Sequence, residues 1–191
     1  MAVKPISPYG MDETRNLLLK DSLTFKVGDL VFASGSGAST YLTVMSNATT
    51  GTAGSYYVYG IVTGFRDKLG NIYPSTGQDP TNTPNQVTTG ATNVSTVKLQ
   101  AVVLPIKESE EYEVDLDDTA GTTSYSDQPL VWFNFADCRT LDESTAIAAN
   151  DGSSPLQFFS LGTIKDPSTS TVTKVRGKFA KANMIGLGEA V

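Results

Sequence analysis

Between Glu111 and Asp117 the chain alternates strictly, Glu-Tyr-Glu-Val-Asp-Leu-Asp, and no other stretch restricts the fold as much. Side chains of a strand point in turn to opposite faces. Tyr112, Val114 and Leu116 therefore share one face, and Glu111, Glu113, Asp115 and Asp117 the other. Such a segment is a half-buried strand and requires a sheet with one side turned to a core. Related runs recur along the chain. Leu23 to Ala33 reads as two strands about a Val27-Gly28-Asp29 turn. Tyr41–Met45 is a short strand, and Tyr56–Phe65 a strong one whose glycines predict a bend or bulge. Val97–Ile106, Leu130–Phe135, Leu156–Ile164 and Thr173–Ala180 follow, the last two joined by a hairpin-like turn through Asp166–Ser170. About eight strands at these spacings predict an all-β fold, a small β-sandwich or partly open β-barrel. Helical patterning is confined to Asp12–Lys20 and Leu141–Ala146, each with room for one turn, and no internal repeat is visible.

The connections divide the chain unequally. Residues 1–22 read as an extended N-terminal arm, because Pro5 and Pro8 fix their own φ and push the residues before them away from helix. The arm carries Val3, Ile6, Tyr9, Met11 and Leu17–Leu19. That is too apolar for a solvated tail, so the arm is expected to lie on a surface, its own or a partner's. The β domain spans 23–191 and contains a long loop insertion at 66–96, rich in Pro, Gly, Thr and Asn. With little apolar periodicity the insertion reads as an excursion rather than core, with a small hairpin at Leu69–Tyr73. Its scarcity of charge favours packing on something over standing in water.

Charged residues make up 18% of the chain, below the roughly 25% of an average soluble domain, and there is no histidine. Ser-His-Asp and Cys-His catalysis and imidazole metal sites are thereby excluded. The single Cys138 excludes an intrachain disulfide and a multi-thiolate zinc site; it is expected to be a small buried hydrophobe. The reading is a non-enzyme with no cofactor and no metal. The first residues lack the pattern of a secretory leader, and no run is apolar for long enough to cross a bilayer as a helix. Neither a membrane nor a secreted setting is expected, so the sequons Asn47-Ala48-Thr49 and Asn93-Val94-Ser95 carry no weight. Gly35-Ser36-Gly37 leads into a strand rather than a helix, which removes a phosphate loop.

Charge is concentrated. Seven of the 20 acidic residues lie between Glu108 and Asp118 with no base among them, and the remainder of the chain is within one charge of neutral. The ladder Glu111, Glu113 and Asp115 is read as a solvated or guarded strand face, with docking to a basic surface as the competing reading. A calcium loop fails because the glycine it needs is Ala120. Spacing suited to a glycosidase pair arises on any strand. The last strand shows the opposite pattern, Lys174, Arg176 and Lys178 on one face, with too few cations for nucleic acid. If the two strands are neighbours, their charges pair within the fold; if they lie on opposite edges, the molecule is bipolar and suits a lattice. Trp132, Phe133, Phe135, Phe158 and Phe159 are expected in the core in preference to a sugar-stacking platform.

The order of Ile6-Ser7-Pro8-Tyr9-Gly10, Phe25-Lys26-Val27-Gly28-Asp29-Leu30-Val31 and Tyr59-Gly60-Ile61-Val62-Thr63-Gly64-Phe65 resembles the capsid decoration (cement) proteins of tailed bacteriophages. Asp142-Glu143-Ser144-Thr145, Phe158-Phe159-Ser160-Leu161-Gly162 and the basic closing strand extend the resemblance over most of the chain. It implies a virion structural protein, made in the host cytoplasm, that binds the outside of a capsid and clamps major capsid protein subunits, with contacts to its own copies open. On this reading Val3, Pro5, Ile6, Pro8, Tyr9 and Met11 lie in a groove between capsid subunits, and Glu111, Glu113, Asp115, Lys174, Arg176 and Lys178 are the charged contacts. The alternatives are another head or neck component, such as a head-fibre base, and a carbohydrate-binding β module.

Overall fold

A computed structural model describes residues 3–5, 15–36, 39–44, 58–74, 85–107, 110–117, 130–147, 158–165, 167–168 and 172–180. They form β1 (Val3–Pro5), β2 (Arg15–Leu18), β3 (Thr24–Lys26), β4 (Leu30–Ser36), β5 (Ser39–Val44), β6 (Gly60–Arg66) and β7 (Gln86–Thr88). A π-turn at Asn93–Val97 precedes β8 (Gln100–Pro105), β9 (Tyr112–Leu116), β10 (Trp132–Phe135), β11 (Thr140–Ile147), β12 (Phe158–Lys165) and β13 (Val172–Phe179). The fold is all-β, as the alternation predicts, with thirteen strands rather than eight. Part of the excess comes from the arm and the insertion.

Among the described residues the strands build three sheets, two of them curled round their own cores and a small third, β3-β7, packed into the first core. In the first, the order is β2-β8-β6-β4-β5. A parallel bridge between Leu19 and Leu42, with the Lys20 N–H donating to the Leu42 carbonyl at 2.8 Å, brings its two edges together. Leu19, Phe25, Val31, Leu42, Val62, Phe65, Val87, Leu99, Ala101 and Val103 fill it. The second runs β9-β11-β10-β12-β13 and returns to β9, making a closed five-stranded barrel. Closure gives every strand of that ring two neighbours. Tyr112, Val114, Phe133, Phe135, Leu141, Phe158, Val175 and Phe179 point inward, and Phe179 meets Tyr112 edge-on and stacks on Phe135. Gly177 is required where β13 crosses this aromatic cluster, since a Cβ would collide with the Phe159 carbonyl and the Phe158 ring.

The turn at Val27-Gly28-Asp29 forms as predicted, with Gly28 at φ 92°, and it joins the two units. Asp29 is fully buried. Its carboxylate accepts the Lys26 N–H at 2.7 Å and pairs with the Arg139 guanidinium from the β10–β11 connection. Alongside, the Leu30 N–H donates to the Cys138 carbonyl at 2.8 Å. Leu30, Val58, Ile61 and Ile106 then extend from the first sheet into the second core. Burial, with Asp29 next in importance, pushes the Cys138 thiol up to about 12, so it stays a neutral packing group.

Three expectations are sharpened or corrected here. Of the two surfaces open to the arm, residues 15–19 lie on the chain's own: β2 pairs antiparallel with β8, Leu17 opposite Ala101, and Leu19 is buried. The Asp12–Lys20 segment is thus strand where described, because β8 offers an edge that a lone helical turn cannot match. The insertion is not all excursion either. β7 pairs with β3, Val87 opposite Phe25, and both are core. Asn93 is buried with its amide donating to the Leu19 and Leu99 carbonyls and its Oδ1 accepting the Leu99 N–H. A buried asparagine whose bonds are met replaces the apolar periodicity that the segment lacks. Lastly, Leu141–Ala146 lies within β11, not in a helical turn.

Replacing Asp29 with Ala leaves the Lys26 amide and the Arg139 guanidinium without their acceptor. The expected loss is about 3–5 kcal/mol, the range for breaking a buried pair from one side. Urea unfolding of Asp29→Ala beside Arg139→Ala measures it; a loss below about 1 kcal/mol in both would show the junction is held by the apolar contacts alone.

Candidate functional site on the outer barrel wall

Closure of the second barrel sorts its residues by parity. β9 lies beside β13, Lys174 opposite Asp115 and Arg176 opposite Glu113. The acidic and basic strands are therefore neighbours, and the bipolar arrangement does not arise. Lys174 Nζ sits 2.8 Å from Asp115 Oδ1, and the Arg176 guanidinium reaches diagonally to Glu111 Oε2 at 2.8 Å. Both pairs stand on the solvent side, where each contributes a few tenths of a kcal/mol up to about 1. Glu113 and Lys178 lie on the same outer wall. Near the start of β9, Lys107 and Glu110 approach to 4.0 Å, and the Tyr112 hydroxyl accepts the Lys107 N–H at 3.0 Å.

Of the arm residues, Val3 and Pro5 pair with Val114 and Tyr112 of this chain's own β9. That corrects the placing of these two in a groove between partners. The reason is geometric: β11 covers that edge of β9 only at Asp115 and Leu116, so residues 112–114 present backbone groups that β1 occupies. Ile6, Pro8, Tyr9 and Met11 lie outside the described residues.

The aromatic group splits. Phe133, Phe135 and Phe158 are core as expected, whereas Trp132 and Phe159 face outward, half-buried and paired across β10 and β12 with ring centroids 4.8 Å apart. Leu130 and Leu161 continue this pair, being two residues away on each strand. Leu130 is 60% exposed and holds the left-handed φ of 64°, while its N–H donates to the Ser160 carbonyl. Leu161, 37% exposed, sits at a bulge where the β12–β13 register slips between Ser160 and Gly162. Both leucines thus fall on the outward parity of their segments, Leu130 with Trp132 and Leu161 with Phe159, each at a backbone irregularity. A leucine at positive φ costs on the order of 1 kcal/mol, and such strain concentrates at functional positions.

The outer wall therefore carries an apolar strip, Leu130, Trp132, Phe159 and Leu161, bordered by Lys178 and the Arg176–Glu111 pair. An exposed apolar patch of this kind is a candidate contact surface. The sequence reading passed over Leu130 and Leu161. In Leu130-Val131-Trp132-Phe133-Asn134-Phe135 both parities are apolar, and only Asn134 marks the outward set; in Phe158-Phe159-Ser160 the serine is inward and buried, so polarity misleads. No protein-family model, curated protein or solved structure matches the chain.

Leu130→Gly removes the strained φ and a side chain that the barrel interior does not use. The thermal midpoint is expected to hold or rise slightly; a fall would mean the leucine packs in the fold. In a double-mutant cycle, Arg176→Gln and Glu111→Gln should couple by no more than about 1 kcal/mol, and less at high salt.

Proposed function

We propose that this protein is a structural component of a tailed-phage virion, bound to the outside of the capsid, where it stabilises contacts between major capsid protein subunits. The observation that carries the reading is the apolar strip on the barrel wall, two of whose four members sit at backbone irregularities. A rigid closed barrel offers such a strip without reordering on binding, which lowers the entropy cost of association. The order of sequence segments shared with decoration proteins supports the same reading. In this arrangement Lys178, Arg176, Glu111 and Glu113 form a polar rim that sets orientation, while affinity comes from the strip.

The test is co-sedimentation with capsids stripped of decoration. Leu130→Ser/Leu161→Ser is expected to weaken binding at least about tenfold, which is 1.4 kcal/mol, with the fold intact by circular dichroism. Undiminished occupancy removes the strip from the reading, and a wild-type protein that leaves capsids bare removes the reading itself. The outward Trp132–Phe159 pair favours a second reading, a carbohydrate-binding module in which a sugar ring stacks on the aromatic faces. Trp132 is the chain's single tryptophan, so its fluorescence reports that site directly. A saturable shift with pyranose oligosaccharides, absent in Phe159→Ala, would favour this alternative.

A further inference from the structure

Beyond β6 the chain turns sharply and comes back, with Ile72 bridging Arg66 in antiparallel sense. Backbone and side-chain hydrogen bonds hold the turn. The Asp67 N–H donates to the Asn71 carbonyl at 2.9 Å, and the Gly70 N–H, at φ 86°, to the Asp67 carbonyl at 3.0 Å. Asp67 Oδ1 accepts the N–H groups of Leu69 and Asn71 at 2.8 and 2.9 Å, Oδ2 accepts the Asn71 amide at 3.0 Å, and Arg66 Nη1 donates to the Gly70 carbonyl at 2.6 Å. The Asn71 side chain, more than any other group, holds the Asp67 carboxyl below its ordinary value. Below the tip, the Tyr73 N–H donates to the Phe65 carbonyl at 3.1 Å, tying the turn to the sheet.

The result inverts the usual distribution of polarity in a surface turn. The polar groups are spent on one another, and the apolar side chains stand out: Leu69 is 77% exposed and Ile72 72%. A hydrogen-bonded turn has little entropy left to lose when it docks. Lys68 is exposed beside Leu69, and with Arg66 offset by Asp67 the finger carries one net positive charge. The chain as a whole carries a net charge of −6, so a cationic apolar tip is a local departure from its own field. Such a tip fits an apolar socket with an acidic rim. The paired acids on the barrel wall make a second copy a poor match, and two aliphatic side chains on an acidic protein make a poor bilayer anchor.

We propose that the 66–73 finger is a second docking element, separate from the barrel strip, that inserts Leu69 and Ile72 into an apolar socket with an acidic rim on the shell protein. This rests on the capsid reading above.

The experiment uses the full chain with Leu69→Ser/Ile72→Ser and, separately, Lys68→Glu. Because both aliphatic side chains are exposed, the melting midpoint should not move. Capsid affinity is expected to drop at least tenfold in the double variant and several-fold in Lys68→Glu, and to recover in Leu69→Met. If wild type binds capsids and the double variant binds equally well, the finger is overturned while the capsid reading stands; if wild type does not bind, both fall. Sedimentation equilibrium and flotation with phosphatidylcholine/phosphatidylserine vesicles complete the test. Self-association that the double variant loses assigns the finger to a second copy, and vesicle binding that it loses assigns it to lipid; either result overturns the shell socket.

Discussion

The arrangement of the whole molecule depends on one buried carboxylate. Asp29 closes a four-residue turn on its own strand and, with the same side chain, holds Arg139 from the other barrel. An ion removed from water needs its partners in place, so the charge that costs most to bury also specifies how the two units meet. Leu30 and Cys138 share a backbone bond beside it, and the apolar residues that follow Leu30 cross into the second core. Burial energy fills both barrels without preferring one docking over another; the ion pair and its hydrogen bonds supply the preference.

In the second barrel the sheet closes on itself. Every strand in the ring has two neighbours. The charges of Asp115 and Lys174, and of Glu111 and Arg176, neutralise each other across β9 and β13. What remains distinctive is apolar. Leu130 and Leu161 stand on the outward parity of their segments, one at a left-handed residue and the other at a bulge. The finger at 66–73 reaches a similar end by different means, using side-chain and backbone bonds to leave Leu69 and Ile72 exposed. Both elements leave aliphatic side chains exposed on a hydrogen-bonded backbone.

The inward set of β9, the Gly28 turn, the bulge within β6 and the hairpin joining β12 to β13 were all legible from residue order, because period-two patterning and turn chemistry are local. What was illegible shares one cause. β2 and β7 are short, and their apolar residues, such as Leu19 and Val87, acquire meaning only from distant partners; Asn93 resembles loop sequence until its three bonds to Leu19 and Leu99 are seen. In β10, where both parities are apolar, pattern alone could not choose the inner face.

By itself, the sequence determined the class of structure and the chemistry open to it. Strict alternation requires a sheet with one buried face, and a chain without histidine and with one cysteine cannot build a Ser-His-Asp or Cys-His arrangement or an intrachain disulfide. Only the tertiary structure decided which strands are neighbours. That choice turned a separated acidic segment and basic segment into internal ion pairs, placed Val3–Pro5 on the chain's own β9, and moved the candidate contact surface from charge to an apolar strip. The physical reason is that side-chain parity is a property of one strand, whereas pairing and barrel closure are settled by the backbone groups and apolar area of the whole chain together.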